Sequence, residues 1–414
     1  MKQAGPEADT GSLRPNPASI APSPTGQAQH GYDWQSGGFG LYLHWPFCQS
    51  KCPYCDFNSH VAARIDQTRW RDAYLSELDR MAVQTEGRVL STVFFGGGTP
   101  SLMEPDTVSA IIERIRRNWR MSNDPEITLE ANPGSVEAGR FRAYRQAGVT
   151  RVSMGVQALN DPDLRRLGRL HSVAEARAAF DIARTTFDRV SFDLIYARQG
   201  QSLQSWGTEL REALSMAVDH LSMYQLTIEP GTAFGDRQAR GGLRDLPDDD
   251  IAADMYDLTQ DICTGAGMPA YEVSNHAAEG AESRHNQIYW RGGDWIGIGP
   301  GAHGRITNAL GRHATDAVRA PGDWLARAER QDPGIENHEI LQPTEAADEY
   351  LLMGLRLSEG VDTARYARMG GAFAPDAVEE LLGLDLIRQD QGRINTTQQG
   401  RLLLNSVIRR LSGA

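Results

Sequence analysis

Six strand-like apolar runs lie between residues 40 and 227, at 40–44, 92–95, 127–130, 151–156, 190–195 and 220–227. Amphipathic stretches such as 67–82, 105–118 and 173–185 separate them. Parallel strands cannot be joined by tight turns; each needs a crossover long enough for a helix. Strand and helix in alternation therefore predict a parallel sheet with helical connections, an α/β fold. Six units fall short of the eight that close a full barrel, so the expected form is a partial (β/α)6 barrel, open on one side.

The polar residues sit where such a fold puts chemistry, at the C-terminal ends of strands. Gly96-Gly97-Gly98-Thr99 follows the second run, Glu130 ends the third, Gln157 the fourth, and Asp193 falls late in the fifth. Residues 1–38 are rich in Pro, Ala, Ser, Gly and Gln and read as a disordered tail. The barrel would span 39–247. A connecting region, 248–344, carries R-H-N-Q-I-Y-W and G-I-G-P-G-A-H-G. From 345 to 414 the pattern is helical, with a short strand pair near 384–397, which predicts an α+β winged-helix-like module.

The formal net charge of −12 argues against nucleic acid as a partner, since phosphate binding needs a concentrated basic face. No apolar run is long enough to span a bilayer, so any membrane contact would be peripheral. The N-terminal residues lack the apolar core of a secretory signal. A cytoplasmic location is expected.

The loop after the first strand holds Cys48, Cys52 and Cys55, spaced C-x3-C-x2-C, with Tyr54 before the third thiol. Disulfides across such short loops are strained, and four Cys in 414 residues suits a reducing compartment. Zinc is the competing reading; it takes four ligands, with His44 or His60 as the fourth. The alternative is a [4Fe–4S] cube, usually held by four Cys. Three leave one iron open, and an open iron binds a reactant. The fourth cysteine, Cys263, has no ligand-like setting.

The remaining polar positions gain meaning together. G-G-G-T is either a tight turn or a place where backbone N–H groups approach a ligand, and it lacks the G-K-[ST] of a phosphate loop. Asp193 suits ribose hydroxyls, Glu130 an ammonium, and Arg169 a carboxylate. Such a set fits an amino acid joined to a nucleoside. His285, Asn286, Tyr289 and Trp290 place an imidazole, an amide and two aromatics within six residues. That is either a packed helix start or a contact for a flat, iron-bearing macrocycle.

Taken with their order, these motifs resemble a known family. Cys48–Cys55 resembles the radical S-adenosylmethionine (SAM) signature C-x3-C-x-Φ-C. Y-L-H-W-P-F-C, F-F-G-G-G-T-P-S, G-V-Q and F-D-L-I-Y resemble the oxygen-independent coproporphyrinogen III oxidase group. Two features mark its heme-chaperone branch, HemW: Phe57 stands where oxidases carry a further Cys, and H-N-x-x-Y-W is intact at 285–290.

The resemblance implies that Cys48, Cys52 and Cys55 hold the cluster. Tyr42, Gly97, Gly98, Thr99, Glu130, Gln157, Arg169, Asp193 and Thr227 would line the SAM pocket, and Tyr54 and Phe57 would flank the adenine. His285, Asn286, Tyr289 and Trp290 would contact heme. The implied function is heme binding and delivery to acceptor apoproteins within porphyrin metabolism, by a protein that can form a homodimer and is not an active oxidase. The alternative is oxidative decarboxylation of coproporphyrinogen III propionates. One departure stands out: Ala197-Arg198-Gln199 replaces the family's usual Gly-Leu-Pro, and is expected to add a charge at the pocket rim. Trp45, where Ile is common, is a milder one.

Overall fold

The computed structural model describes residues 33–135 and 138–413. Most of the expected tail, 1–32, lies outside the described residues. Residues 33–38 do not belong to a loose tail. Trp34–Ser36 form a turn of 3-10 helix, the Arg88 guanidinium stacks 4.3 Å from the Trp34 ring, and Asp33 pairs with Arg365 at 2.7 Å.

The six expected strands are present: β1 (Phe39–Trp45), β2 (Val89–Gly97), β3 (Arg120–Ala131), β4 (Arg151–Gln157), β5 (Arg189–Tyr196) and β6 (His220–Gln225). They lie side by side in chain order, each parallel to the next. The crossovers carry α1 (Gln67–Gln84), α2 (Pro105–Asn118), α3 (Ala138–Ala147), α4 (Val173–Thr186) and α5 (Leu203–Met216). Their starts are encoded locally. Asp66 caps α1, and Ser172 with Glu175 forms a capping box on α4.

Strand alternation divides the sheet into two chemistries. Leu41, Leu43, Val93, Phe95, Ile127, Leu129, Val152, Met154, Phe192 and Leu194 are buried in the main apolar core. The intervening positions include Tyr42, Glu130, Arg151, Ser153, Asp193 and Ser222, which face an internal cavity. The core therefore holds the strands, and the opposite face is left for polar groups.

The sheet continues beyond the barrel in both directions. The helix α6 (Asp249–Gly265) leads to β7 (Asn275–Ala277), antiparallel to β6. The helix α7 (Arg284–Trp290) carries the H-N-x-x-Y-W residues. After it, β8 (Asp294–Ile298) returns to the free edge of β1 and runs parallel to it. An antiparallel meander then adds β9 (His303–Asn308), β10 (Gly311–Ala317) and, after α8 (Pro321–Glu329), β11 (Ile335–Ile340). Residues 248–344 thus supply five of the eleven strands that the sheet has among the described residues. The final segment opens with α9 (Pro343–Gly354), then combines short helices with a three-stranded sheet that includes the strand pair Ile387–Asp390 and Arg393–Thr396. It has its own core around Leu351, Val361, Tyr366 and Val407.

An aromatic cluster supports the start of the cysteine loop. Trp45 is fully buried. Its ring lies 5.2 Å from Phe47, 5.9 Å from Trp70 and 6.1 Å from Tyr74. Trp70 in turn stacks on Trp324 of α8 at 5.6 Å. Trp45 is therefore a core choice matched by neighbouring rings. Trp45→Ala should cost about 3–5 kcal/mol, read as an earlier midpoint in denaturant unfolding.

Candidate functional site

One cavity at the C-terminal ends of β2 to β5 gathers most of the expected site. Its walls include Cys48, Cys52, Cys55, Tyr54, Phe57, Gly97, Gly98, Thr99, Glu130, Gln157, Arg169 and Asp193. Each thiol has a polar neighbour. The Thr99 hydroxyl donates to Cys48 Sγ at 3.4 Å, Arg169 Nη1 donates to Cys52 Sγ at 3.3 Å, and Ser59 Oγ lies 3.6 Å from Cys55 Sγ. Burial pushes the Cys48 thiol up, while the Thr99 bond opposes that. Donors aimed at sulfur favour the thiolates a metal centre needs.

The glycine run acts through close approach. Gly97 has φ +109°, and a Cβ there would fall 2.7 Å from the His44 ring. A Cβ on Gly98 would meet Phe47 O at 2.7 Å. In their absence Gly98 N donates to Trp45 O at 2.7 Å and Thr99 N to Phe47 O at 2.8 Å. The run thereby fastens the end of β2 to the cysteine loop.

The zinc reading loses its fourth ligand. His44 has both ring nitrogens engaged, Nδ1 with the Tyr42 hydroxyl at 3.0 Å and Nε2 with Asn58 O at 2.9 Å. His60 bonds Asn58 Oδ1 at 3.2 Å. Neither lines the cavity. Cys263 is buried in the core, its thiol pushed up to about 12 by desolvation.

Arg169 spans the cavity. Its Nη2 donates to Gly155 O at 2.8 Å, and its Nε is buried without a partner. An unmet donor in a cavity leaves room for an acceptor. Opposite in charge are Glu130 and Asp193, whose accessible surface faces the cavity. Desolvation, then the nearby Asp193 charge, pushes Glu130 up to about 8. Desolvation raises Asp193 to about 6. A cation beside them would relieve both. Gln157 holds a positive φ of 75° at the end of β4, a strained position for a residue with a Cβ.

Two expected residues lie elsewhere. Tyr42 sits deeper, on the walls of two adjoining cavities. Thr227 lies beyond the end of β6, exposed, its hydroxyl donating to Gln225 O at 3.3 Å. The chain has already left the cavity there, so the residue does not line it. Ser153, Asn132 and Leu170 line the cavity without having stood out in the sequence. Single polar or apolar residues carry no spacing signal.

The expected rim charge is a buried clamp instead. Ala197 takes the positive φ, 55°, that a glycine would favour. Arg198 is 3% exposed. It pairs with Asp163 at 3.0 Å and Glu209 at 2.5 Å, and donates to Ile195 O at 2.5 Å and Gln157 O at 3.5 Å. Burial is tolerable because every charge there is met.

A second, wider cleft adjoins the cysteine cavity. Tyr42, Phe57, Gly97, Glu130, Tyr289, Trp290, Trp295, His303, Arg319 and Met353 are on its walls. Phe57, Gly97 and Glu130 border both spaces. Phe57 is 61% exposed at this junction. His285, by contrast, is fully buried. Its Nδ1 meets Thr92 Oγ1 at 2.7 Å and its Nε2 meets the Tyr289 hydroxyl at 2.6 Å. Desolvation lowers it to about 3.

A cysteine-lined cavity at the open end of six parallel strands defines the class: this is a radical SAM protein. The radical SAM superfamily model matches residues 42–212, and that for the HemN C-terminal domain matches 341–403. The heme chaperone HemW of Escherichia coli is 37% identical over 375 residues, covering 89% of this chain and 96% of that one. The mitochondrial radical S-adenosyl methionine domain-containing protein 1 of Mus musculus is 37% identical, with 89% and 86% covered. The solved coproporphyrinogen III oxidase HemN of Escherichia coli has the same fold, with TM-score 0.76, 22% identity and 92% of each chain covered. The chain belongs to the HemW family.

Two substitutions probe these sites. Arg198→Ala leaves Glu209 buried without its cationic partner and Asp163 with Arg166 alone, and should cost about 3–5 kcal/mol in thermal or denaturant unfolding. For Glu130, the folded protein holds its proton more tightly than the unfolded chain. That contribution is full below the ordinary carboxylate range and is lost as pH rises toward about 8. In the apoprotein, Glu130→Gln should therefore flatten the fall in melting temperature between pH 5 and pH 8. A parallel profile for parent and variant would show Glu130 ionised throughout.

Proposed function

We propose that this protein is a heme chaperone that binds SAM at a [4Fe–4S] cluster and carries heme for delivery to acceptor apoproteins. The observation that carries this reading is the wide aromatic cleft beside the cysteine cavity, with Phe57 at their junction. Relatives of 33–37% identity named heme chaperone HemW support it.

Cys48, Cys52 and Cys55 would hold the cluster, and their hydrogen-bonded sulfurs suit thiolate ligation. Arg169, with its unmet Nε, would bind the SAM carboxylate. Glu130 would take the ammonium and Asp193 the ribose hydroxyls. Tyr54 and Phe57 would flank the adenine, beside the Gly97–Thr99 backbone and Gln157. With both groups bound, the chemistry available is one-electron reduction of the sulfonium. The chain's own residues orient SAM and shield it from water.

Tyr289 and Trp290 would form the heme-facing wall, with His285 and Asn286 behind them. Among the described residues no helix is long and apolar enough to cross a membrane. We place the protein in the cytoplasm, as monomer or homodimer, meeting a membrane at most peripherally. Residues 39–247, 248–344 and 345–414 would act as SAM barrel, cleft wall and partner-facing module.

Coproporphyrinogen III oxidation remains the second reading, because the same fold serves HemN and a cleft beside the SAM cavity could seat a porphyrinogen. Hemin added to anaerobically reconstituted protein should give a Soret shift at one equivalent and pass to apomyoglobin. Absence of any Soret change rejects the chaperone reading. With SAM, reductant and coproporphyrinogen III, little protoporphyrinogen IX should form. Rapid decarboxylation would favour the oxidase.

A further inference from the structure

A heme carrier needs a ligand for the iron, and His285 is poorly placed to be one. Both of its ring nitrogens are engaged inside the protein, with Thr92 and Tyr289. Presenting a lone pair would break a buried hydrogen bond and leave its partner unmet. His44, on the same cleft wall, is likewise engaged at both nitrogens.

His303 differs in each respect. It begins β9, lines the wide cleft, and its side chain is 69% exposed. Nδ1 bonds Asp316 Oδ1 of β10 at 2.5 Å. Strand pairing sets this contact, because His303 and Asp316 are register partners across the β9–β10 ladder. A carboxylate accepts, so in the neutral ring Nδ1 carries the proton and Nε2 the lone pair; among the described residues Nε2 has no hydrogen-bond partner. A carboxylate on one ring nitrogen and a metal on the other is how proteins orient ligating histidines.

The neighbouring groups match the rest of the ligand. Tyr289 and Trp290 offer aromatic surface for a flat macrocycle, backed by the buried Trp295, whose ring lies 4.7 Å from that of Tyr289. Trp295 is locked in place, its Nε1 donating to His303 O at 2.9 Å. Arg319 lines the cleft from an exposed loop and makes no ion pair among the described residues, so its guanidinium is available to a propionate.

We propose that His303 would ligate heme iron in this cleft, oriented by Asp316, while His285 is a buried support for the Tyr289 wall. The assignment rests on the heme-carrier reading and names its ligand. It places the iron beside the SAM cavity, across the Phe57 junction.

Full-length parent, His303→Ala and Asp316→Asn proteins, each with its cluster reconstituted, are titrated with hemin under argon. Difference absorbance and ferric heme EPR are recorded. The parent should show a histidine-ligated heme. His303→Ala should lose that signature and bind hemin at least about tenfold more weakly, and added imidazole should restore the parent spectrum. Asp316→Asn should keep the ligand but weaken binding about tenfold. A parent that binds hemin, with His303→Ala unchanged in spectrum and affinity, overturns this assignment alone. A parent that takes up no hemin overturns the carrier reading and the assignment together.

Discussion

The pairing of β8 with the free edge of β1 is the contact on which the rest of the site depends. It joins Phe39–Leu43 to residues 294–298, far apart in sequence. Asp294 secures it. The carboxylate is fully buried and meets Arg88 at 2.7 Å and Arg312 at 2.9 Å. Its backbone N–H donates to Gly38 O at 3.0 Å. A buried carboxylate so well matched is stable in place, yet costly to expose half-paired. Because β8 is held there, α7 before it packs against the inner face of β1 and β2, and β9 after it borders the cleft.

The sheet's two faces then have separate tasks. Apolar residues on one face pack under the crossover helices and supply the stability. Polar residues on the other are held close together with too little water, which is why Glu130 and Asp193 are reluctant to ionise. Such strain is a usual mark of a binding site. A cationic ligand would relieve it, and in the proposed reading that ligand is SAM.

Arg198 illustrates how a local reading can miss. In the sequence it replaces a turn residue and looks like a surface charge. In the fold it reaches beneath the loop to Asp163, Glu209 and the Gln157 carbonyl. Asp163 lies in the crossover before β5, Glu209 in the crossover after it and Gln157 at the end of β4, so no short-range pattern could reveal them. The H-N-x-x-Y-W residues show the same effect. The motif was visible, but the engagement of both His285 nitrogens depends on Thr92 from a distant strand.

The sequence alone determined the six-strand order, because alternation and crossover length are local properties of the chain. It also determined the cysteine triad and the glycine turn, since ligand spacing and absent side chains can be read directly. Tertiary structure decided what no local pattern carries. Residues 294–340 extend the same sheet, Thr227 falls outside the cavity, and the available imidazole at the cleft is His303 rather than His285. Each of these depends on strand register and burial, which bring together residues tens to hundreds of positions apart. A sequence names the groups able to do chemistry, and only packing decides which of them keep a free lone pair.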